Sequence, residues 1–267
     1  MKVGIIGYGN IGEAMVSGLL KSDVVKPEEI LASSRNEKKI RAALDKFHIG
    51  ITRDNIKVTE FADVLIISVK PIGLANVLEQ IKDHISEDTI VVSVVSSVEI
   101  SEIESIIGEK KIARVMLNTP VMVNEGMSAL CMNQKVNFEE VDELVALFKS
   151  FGLVELVEEK YMEIITAVSG TSPAYVFMMI EAMADGGVMM GLPRRKAYKL
   201  AAQSVRGSAT MVLESELHPG ALKDMVCSPG GSTIDGVYTL ENNNFRGTLM
   251  KTIREATKKA ERIKQKL

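Results

Sequence analysis

The sequence holds no tryptophan, two cysteines and three histidines among its 267 residues. Cys131 and Cys227 are too few for a disulfide framework, and neither belongs to a C-x-x-C pair. His48, His84 and His218 lie far apart, without the spacing that gathers metal ligands, so no metal chemistry is expected. Neither sign of charge dominates. A net charge of −3 supplies no global basic field for nucleic acid or for an anionic membrane surface. Long apolar runs are also missing, and a stretch such as Val64–Ile67 falls far short of a bilayer span. Lys2 is followed by apolar residues, but Gly7 and Gly9 interrupt them before a secretory core forms. These absences lead to the expectation of a soluble, cytoplasmic protein that binds neither nucleic acid nor membrane.

What is present is the balance of a globular chain, 46% hydrophobic and 25% charged. The length suits one large domain or two ordinary ones. Fifteen methionines point to adaptable apolar packing rather than aromatic anchoring. Over the first part of the chain, short β-rich runs alternate with helical stretches, the pattern of a parallel sheet covered by helices. Strands are expected at Lys2–Ile6, Glu29–Ser33, Val64–Val69, Ile90–Val95, Ile112–Met116 and Met127–Cys131. Helices are expected at Asn10–Leu20, Glu37–Phe47 and Leu74–Ile81.

Beyond Phe151 the strand patterns end with Val154–Val157 and helical periodicity takes over. Ser172-Pro173 reads as a helix start, with Ser172 as cap and Pro173 at the first helical position. That helix runs to Gly191, and further helices are expected at Pro193–Leu213, Pro219–Val226, after Ser232, and at Phe245–Leu267. The division is placed near residue 160: a dinucleotide-binding domain over 1–160 and an all-helical dimerisation and substrate domain over 161–267. The first long helix is apolar on more than one face, with Phe177, Met178, Met183 and Met189 among its residues. A domain of this size has little interior, so much of that surface is expected to meet another subunit.

The chemistry begins at Gly7-x-Gly9-x-x-Gly12, which follows a strand and opens a helix, the context of a dinucleotide fingerprint. Gly7 permits the tight turn, Gly9 lets backbone approach a pyrophosphate, and Gly12 allows close packing of helix on strand. Ile6, Tyr8, Asn10 and Ile11 complete that segment. An NAD site places an acidic residue at the end of the second strand, whereas this chain has Ala32-Ser33-Ser34-Arg35. Hydroxyls and a guanidinium suit a 2′-phosphate, which favours NADP, although a loop arginine is also compatible with simple solvation. Val69-Lys70-Pro71 lies at a strand's carboxyl end, where open α/β sheets bind ligands. Lys70 is compatible with an acid role, but contact through a backbone set by Pro71 is preferred.

In the helical part, Ser228-Pro229-Gly230-Gly231-Ser232-Thr233-Ile234 runs straight into a helix start. Such a segment aims unpaired N–H groups at one point and suits an anion. Ser232 is expected to cap the helix, with Asp235 as an imperfect capping-box partner. Gly230 and Gly231 leave room for a carboxylate, and Thr233 presents a hydroxyl beside it. Ordinary helix capping explains the same residues.

Along its whole length the chain resembles the pyrroline-5-carboxylate reductase family. The resemblance rests on Gly7-x-Gly9-Asn10, Asp54-Asn55, Val69-Lys70-Pro71, Asn118-Thr119-Pro120, Ser169 to Tyr175, Ala184 to Val188, His218 to Asp224, and Ser228 to Ile234. It implies an α/β fold with an N-terminal Rossmann-type parallel sheet and a C-terminal all-helical domain. It further implies NADPH-dependent reduction of a cyclic imine, 1-pyrroline-5-carboxylate, to L-proline, with NADH also usable. By the same resemblance Ser34, Arg35 and Asn55 contact the adenosine portion, while Val69, Lys70 and Ser96 lie near the nicotinamide half. Ser228, Gly230, Gly231, Ser232 and Thr233 bind substrate, with the Thr233 hydroxyl near the ring nitrogen, and Glu159 falls where the family has an acidic residue near substrate. Family members resemble intertwined homodimers, often assembled into decamers.

The chain departs from the family pattern at Leu117, where proline is common, and at Ser97, where glycine is common. A β-hydroxyacid dehydrogenase shares the two-part plan but resembles a lysine-assisted reaction, and Thr171–Met183 contains no lysine. A nucleotide-sensing module without catalysis is the alternative from another class.

Overall fold

The computed structural model describes residues 1–264 and divides them into two compact units. One unit comprises Met1–Thr171 together with the chain from Ala256 onward, and the other comprises Ser172–Glu255. The expected division at residue 160 therefore differs from the observed partition. Residues 161–171 and the end of the last helix pack with the sheet unit.

In that unit the elements are β1 (Val3–Ile6), α1 (Asn10–Lys21), β2 (Ile30–Ser33), α2 (Glu37–Phe47), β3 (Gly50–Thr52), α3 (Asn55–Phe61), β4 (Val64–Ile67), α4 (Leu74–Ile81) and β5 (Ile90–Ser93), followed by α5 (Ile100–Ile107), β6 (Lys111–Leu117), β7 (Gly126–Met132), α6 (Phe138–Lys149), β8 (Gly152–Leu156) and α7 (Met162–Ile165). The strands form one sheet in the order β3-β2-β1-β4-β5-β6-β7-β8. Every pairing is parallel except β6 with β7, which is antiparallel. The continuous apolar runs of β1, β4 and β5 are buried throughout, because helices cover both faces of the sheet.

Each face has its own core. One packs α1, α2 and α6 over Ile5, Ile66, Val92 and Val115, closed by Phe148 and Phe151. The other packs α3, α4 and α5 over Ile6, Leu65, Ile67, Val91 and Ile112. Gly18 of α1 lies flat on Phe151, where a Cβ would stand 2.4 Å from the ring.

Local rules explain most boundaries. Asn36 caps α2 with its side-chain oxygen on Lys38 N and Lys39 N, and Asp54 caps α3 through Ile56 N and Lys57 N. Asn137 and Glu140 form a capping box at the start of α6. The elements β3, α3, α5 and α6 add to the expected set, and β8 begins earlier than the expected Val154.

After α7, residues Thr166–Gly170 form a π-helical turn in which Thr171 N donates to Thr166 O at 2.8 Å. The second unit then holds α8 (Ser172–Met189), α9 (Arg194–Ser215), α10 (Pro219–Val226), α11 (Ser232–Asn242) and the first part of α12 (Phe245–Lys264). Ser172 is already helical rather than a cap, and Pro193, expected as the first residue of α9, is its N-cap. The expected last helix includes 265–267, which lie outside the described residues. Glu159–Met189 is one helical run of 31 residues, long and apolar enough by length and composition to cross a membrane. Its length comes from the near-seamless junction of α7, the π turn and α8, which sequence runs alone do not display. Met189 and Met190, at the turn into α9, are 85% and 88% exposed in the single chain.

Candidate active site

Strand order reverses between β1 and β4, and at such a switch point the carboxyl ends of the strands leave a crevice. Gly7 turns the chain there at φ +98°, and a Cβ on it would lie 2.6 Å from Ser68 O. No side chain fits that position. A Cβ on Gly12 would come within 3.2 Å of Gly7 O, which marks the close packing of α1 on the turn. A Cβ on Gly9 would meet nothing nearer than Gly7 O at 3.8 Å, so the space above it is open. Gly9 is also the N-cap of α1 and supplies no side-chain acceptor, which leaves the first helical N–H groups facing that space. These features fit a pyrophosphate.

The rest of that segment divides between core and crevice. Ile6 and Tyr8 are 1% and 3% exposed, so their side chains belong to the core and their backbone lines the turn. Tyr8 N is itself taken by Ser33 O at 2.8 Å. Burial, with Glu13 as the lesser cause, pushes the Tyr8 hydroxyl up to about 12, and that hydroxyl has no hydrogen-bond partner among the described residues. Ile11 packs partly against the core, and Asn10 accepts from Lys39 Nζ at 2.9 Å.

At the end of β2, Ser34 is half-buried and holds Asn36 N through its hydroxyl. Arg35 is exposed and makes no ion pair among the described residues, which leaves its guanidinium available to a phosphate. Asn55 accepts from Ser33 Oγ at 2.7 Å and donates to Gln80 Oε1 at 2.9 Å, so its amide orientation is fixed. Beyond β4, Val69 leans against Gly7, and Lys70 precedes a 3-10 turn over Pro71–Gly73 that its carbonyl closes through Gly73 N at 2.9 Å. Lys70 is exposed, without an ion pair among the described residues. Ser96 is exposed beyond β5, and buried Ser97 stands at φ +64°. Glycine takes that conformation freely, whereas serine bears roughly 1 kcal/mol of strain.

The second anion cradle lies in the helical unit. Gly230 turns at φ +68°, Gly231 N donates to Ser228 O at 3.0 Å, and Gly231 is the N-cap of α11. Ser232, expected as the cap, is the first helical residue instead. No side chain caps this helix, so the N–H groups of Ser232, Thr233 and Ile234 have no acceptor within it. Ser232 and Thr233 are exposed. A Cβ on Gly231 would stand 2.6 Å from Ser228 Oγ, so glycine keeps the turn closed at that point.

Glu159 belongs to neither cradle. Its Oε1 accepts from Ile100 N at 2.8 Å and from Arg114 Nη1 at 3.2 Å. Glu159, expected near substrate, is held by these two donors within the sheet unit. Arg114 also donates from Nη2 to Glu163 at 3.0 Å and is fully buried. The signal for this network was a lone charge in the apolar run Ile112–Met116. Beside it, burial above all, then Glu159, pushes the Cys131 thiol up to about 12, in keeping with a buried structural cysteine. Asn118 donates to Ser169 O and Ser169 Oγ, both at 3.3 Å, and accepts from Met127 N at 2.9 Å, so it ties the π turn to β7. Among the described residues, no group of histidine, cysteine and acidic side chains gathers as metal ligands. An open cavity of about 920 Å³ lies at the opposite, amino ends of the strands. Glu60, Asp63, Asp83 and Asp88 line it, and they suit neither a phosphate nor a carboxylate.

Comparison with known proteins carries the assignment further. The chain is 42% identical over 263 residues to the pyrroline-5-carboxylate reductase of Escherichia coli, covering 98% of each. The chain belongs to the pyrroline-5-carboxylate reductase family. The Arabidopsis thaliana reductase is 37% identical over 264 residues, which cover 99% of this chain and 96% of that one. Among solved structures, pyrroline carboxylate reductase from Plasmodium falciparum, with NADP bound, aligns at TM-score 0.89 and 33% identity over 99% of this chain and 98% of that one. The Coxiella burnetii reductase aligns at TM-score 0.92 and 32% identity, over 98% and 97%. Two family models match in succession: NADP oxidoreductase, coenzyme F420-dependent, over residues 2–97, and pyrroline-5-carboxylate reductase dimerisation over residues 159–263.

The orphan hydroxyl generates a test of the core beneath this reductase fold's glycine turn. Tyr8→Phe is expected to leave NADPH affinity unchanged and to raise stability by about 1 kcal/mol, because it removes a buried polar atom that no described residue satisfies. Urea denaturation checks this, and a lower midpoint would mean that the hydroxyl has a partner.

Proposed function

We propose that the protein reduces 1-pyrroline-5-carboxylate to L-proline with NADPH, the last step of proline biosynthesis. The observation that carries this reading is the uncapped start of α11 behind Gly230 and Gly231, beside an exposed threonine hydroxyl. A helix N-terminus carries partial positive charge and unpaired donors, which match the substrate carboxylate. Thr233 is then the residue whose hydroxyl meets the ring nitrogen. Ser228, Gly230, Gly231 and Ser232 shape the carboxylate cradle.

When bound, NADPH supplies the hydride for the C=N carbon. The chain's own contribution is position. Gly7, Gly9 and the open start of α1 receive the pyrophosphate, Ser34 and Arg35 the 2′-phosphate, and Asn55 the adenosine portion. The segment Val69-Lys70-Pro71, with Ser96, borders the nicotinamide half. An imine is protonated far more readily than a ketone, so a hydrogen bond to nitrogen and fixed orientation suffice without a strong acid. This agrees with a site that has neither histidine nor cysteine at its centre. NADH remains usable, since only the 2′-phosphate contacts distinguish the two cofactors.

A homodimer built on the helical region accounts for the exposed apolar side chains of α8, Phe177, Met178 and Met183 among them. In that setting the helical run of Glu159–Met189 is a subunit interface, not a membrane span. The dimer is the unit from which a decamer assembles. A cytoplasmic location agrees with the two free thiols, Cys131 and Cys227.

Two substitutions test the reading. Arg35→Ala is expected to weaken NADPH binding far more than NADH binding, and equal loss for both would remove the 2′-phosphate role. Thr233→Val keeps shape and helix. It is expected to lower kcat/KM for the imine about 5- to 150-fold, the loss of one positioned hydrogen bond worth about 1–3 kcal/mol, while NADPH affinity stays constant. Steady-state kinetics at the wild-type rate would leave the backbone cradle alone in charge.

A further inference from the structure

The connection from β5 to α5, residues 94–99, carries Ser96 to the cofactor crevice, and it is tied down at both ends. At its start Val94 N donates to Ile67 O at 3.1 Å, and Val95 N donates to Ser93 Oγ at 3.3 Å. At its end Ile100 N donates to Glu159 Oε1 at 2.8 Å, and Glu99 pairs with Lys264 from the end of α12. Between these anchors Ser97 is held in the left-handed region at φ +64°. Val95, Ser97 and Val98 are buried, Val94 and Glu99 are half-buried, and Ser96 alone is exposed. Arg114 of β6 stands in register beside Ser93, the last residue of β5, and its guanidinium reaches Glu159 on one side and Glu163 on the other.

A buried arginine with two carboxylates is an uneconomical way to fill the space under a helix, since apolar side chains of similar volume usually serve stability as well or better. What this arrangement supplies is a fixed acceptor at the first N–H of α5. We infer that Arg114, acting through Glu159, and Lys264, acting through Glu99, are positioning residues that set the residue 94–99 connection so that Ser96 lies correctly against the nicotinamide half of the cofactor. This rests on the reductase reading above. Neither residue touches a reacting atom. Arg114 neutralises the Glu159 carboxylate and aims it, the carboxylate holds Ile100 N, and Lys264 restrains the neighbouring turn from outside.

The test compares Glu159→Ala, Glu159→Gln and Lys264→Met with the intact protein. Amide hydrogen exchange, read without cofactor, is expected to speed up at least about 10-fold at Ile100 in Glu159→Ala. Glu159→Gln, which keeps an acceptor for Ile100 N, restores much of the protection. Glu159→Ala and Lys264→Met should lower kcat about 10- to 100-fold and weaken NADPH binding, through misplacement of the nicotinamide half. Affinity for a 2′-phosphorylated adenosine fragment that lacks nicotinamide should change less than about twofold, since its contacts lie elsewhere. If Glu159→Ala does not fold, Lys264→Met at a partly exposed position carries the kinetic and binding comparison. Unchanged Ile100 exchange in folded Glu159→Ala overturns the anchor, whatever the activity. Equal weakening of NADPH and fragment, with kcat per folded molecule unchanged, reduces the network to fold stability and overturns the positioning role. Wild-type protein that binds NADPH without reducing the imine defeats the reductase reading alone, and exchange and fragment binding still judge the anchor.

Discussion

The contact on which the site depends is that of Gly7 with Ser68. Ser68 N donates to Ile6 O at 2.8 Å and so carries the pairing of β1 with β4 past their last residues. The two chains then turn in opposite directions, one into α1 and the other into the Val69-Lys70-Pro71 turn. Because a Cβ at Gly7 would collide with the Ser68 carbonyl, only glycine lets the backbone pass. The crevice, the open space over Gly9 and the uncapped start of α1 all follow from that passage. The sheet that supports it can be almost wholly apolar because both of its faces are covered.

The two compact units solve different problems. The sheet unit buries its apolar residues in two internal cores and sets its buried charges, Arg114 and Glu163, in one network with the half-buried Glu159. The helical unit keeps few side chains covered, with Pro173, Ala184, Ala197 and Ala201 among them. Much of its apolar surface is exposed in the single chain, within the span that matches the dimerisation model. The open, side-chain-free start of α11 sits on that unit.

Much of this was legible in the sequence because its signals are local. The strand–glycine–helix order at Val3–Gly12 and the apolar run of β4 each need only a few neighbouring residues to be read. Arg35 stands out locally too, as a departure from the acidic residue of NAD sites, and it is exposed at the end of β2. Elements with weak local patterns were not legible. β3 is a strand of three residues, Gly50–Thr52, specified by its pairing with β2 rather than by its own alternation. α5 is a short apolar helix that follows an apolar strand closely, and its periodicity is hard to separate from that of β5. α6 did carry a signal, the capping box of Asn137 and Glu140. The cap of α11 fell one residue earlier than the serine suggested, because Gly231, held by Ser228 O, already adopts the extended conformation of a cap. The partners of Glu159 are ones no local pattern reveals: Ile100 and Arg114 are 59 and 45 residues away.

The most direct test of the account is to mix the protein with NADPH and 1-pyrroline-5-carboxylate and to follow both cofactor oxidation and product. The account predicts that NADPH is consumed and L-proline appears in equal amounts, with none formed when the imine is omitted. Tight NADPH binding without oxidation in the presence of the imine, or oxidation without proline, would contradict it.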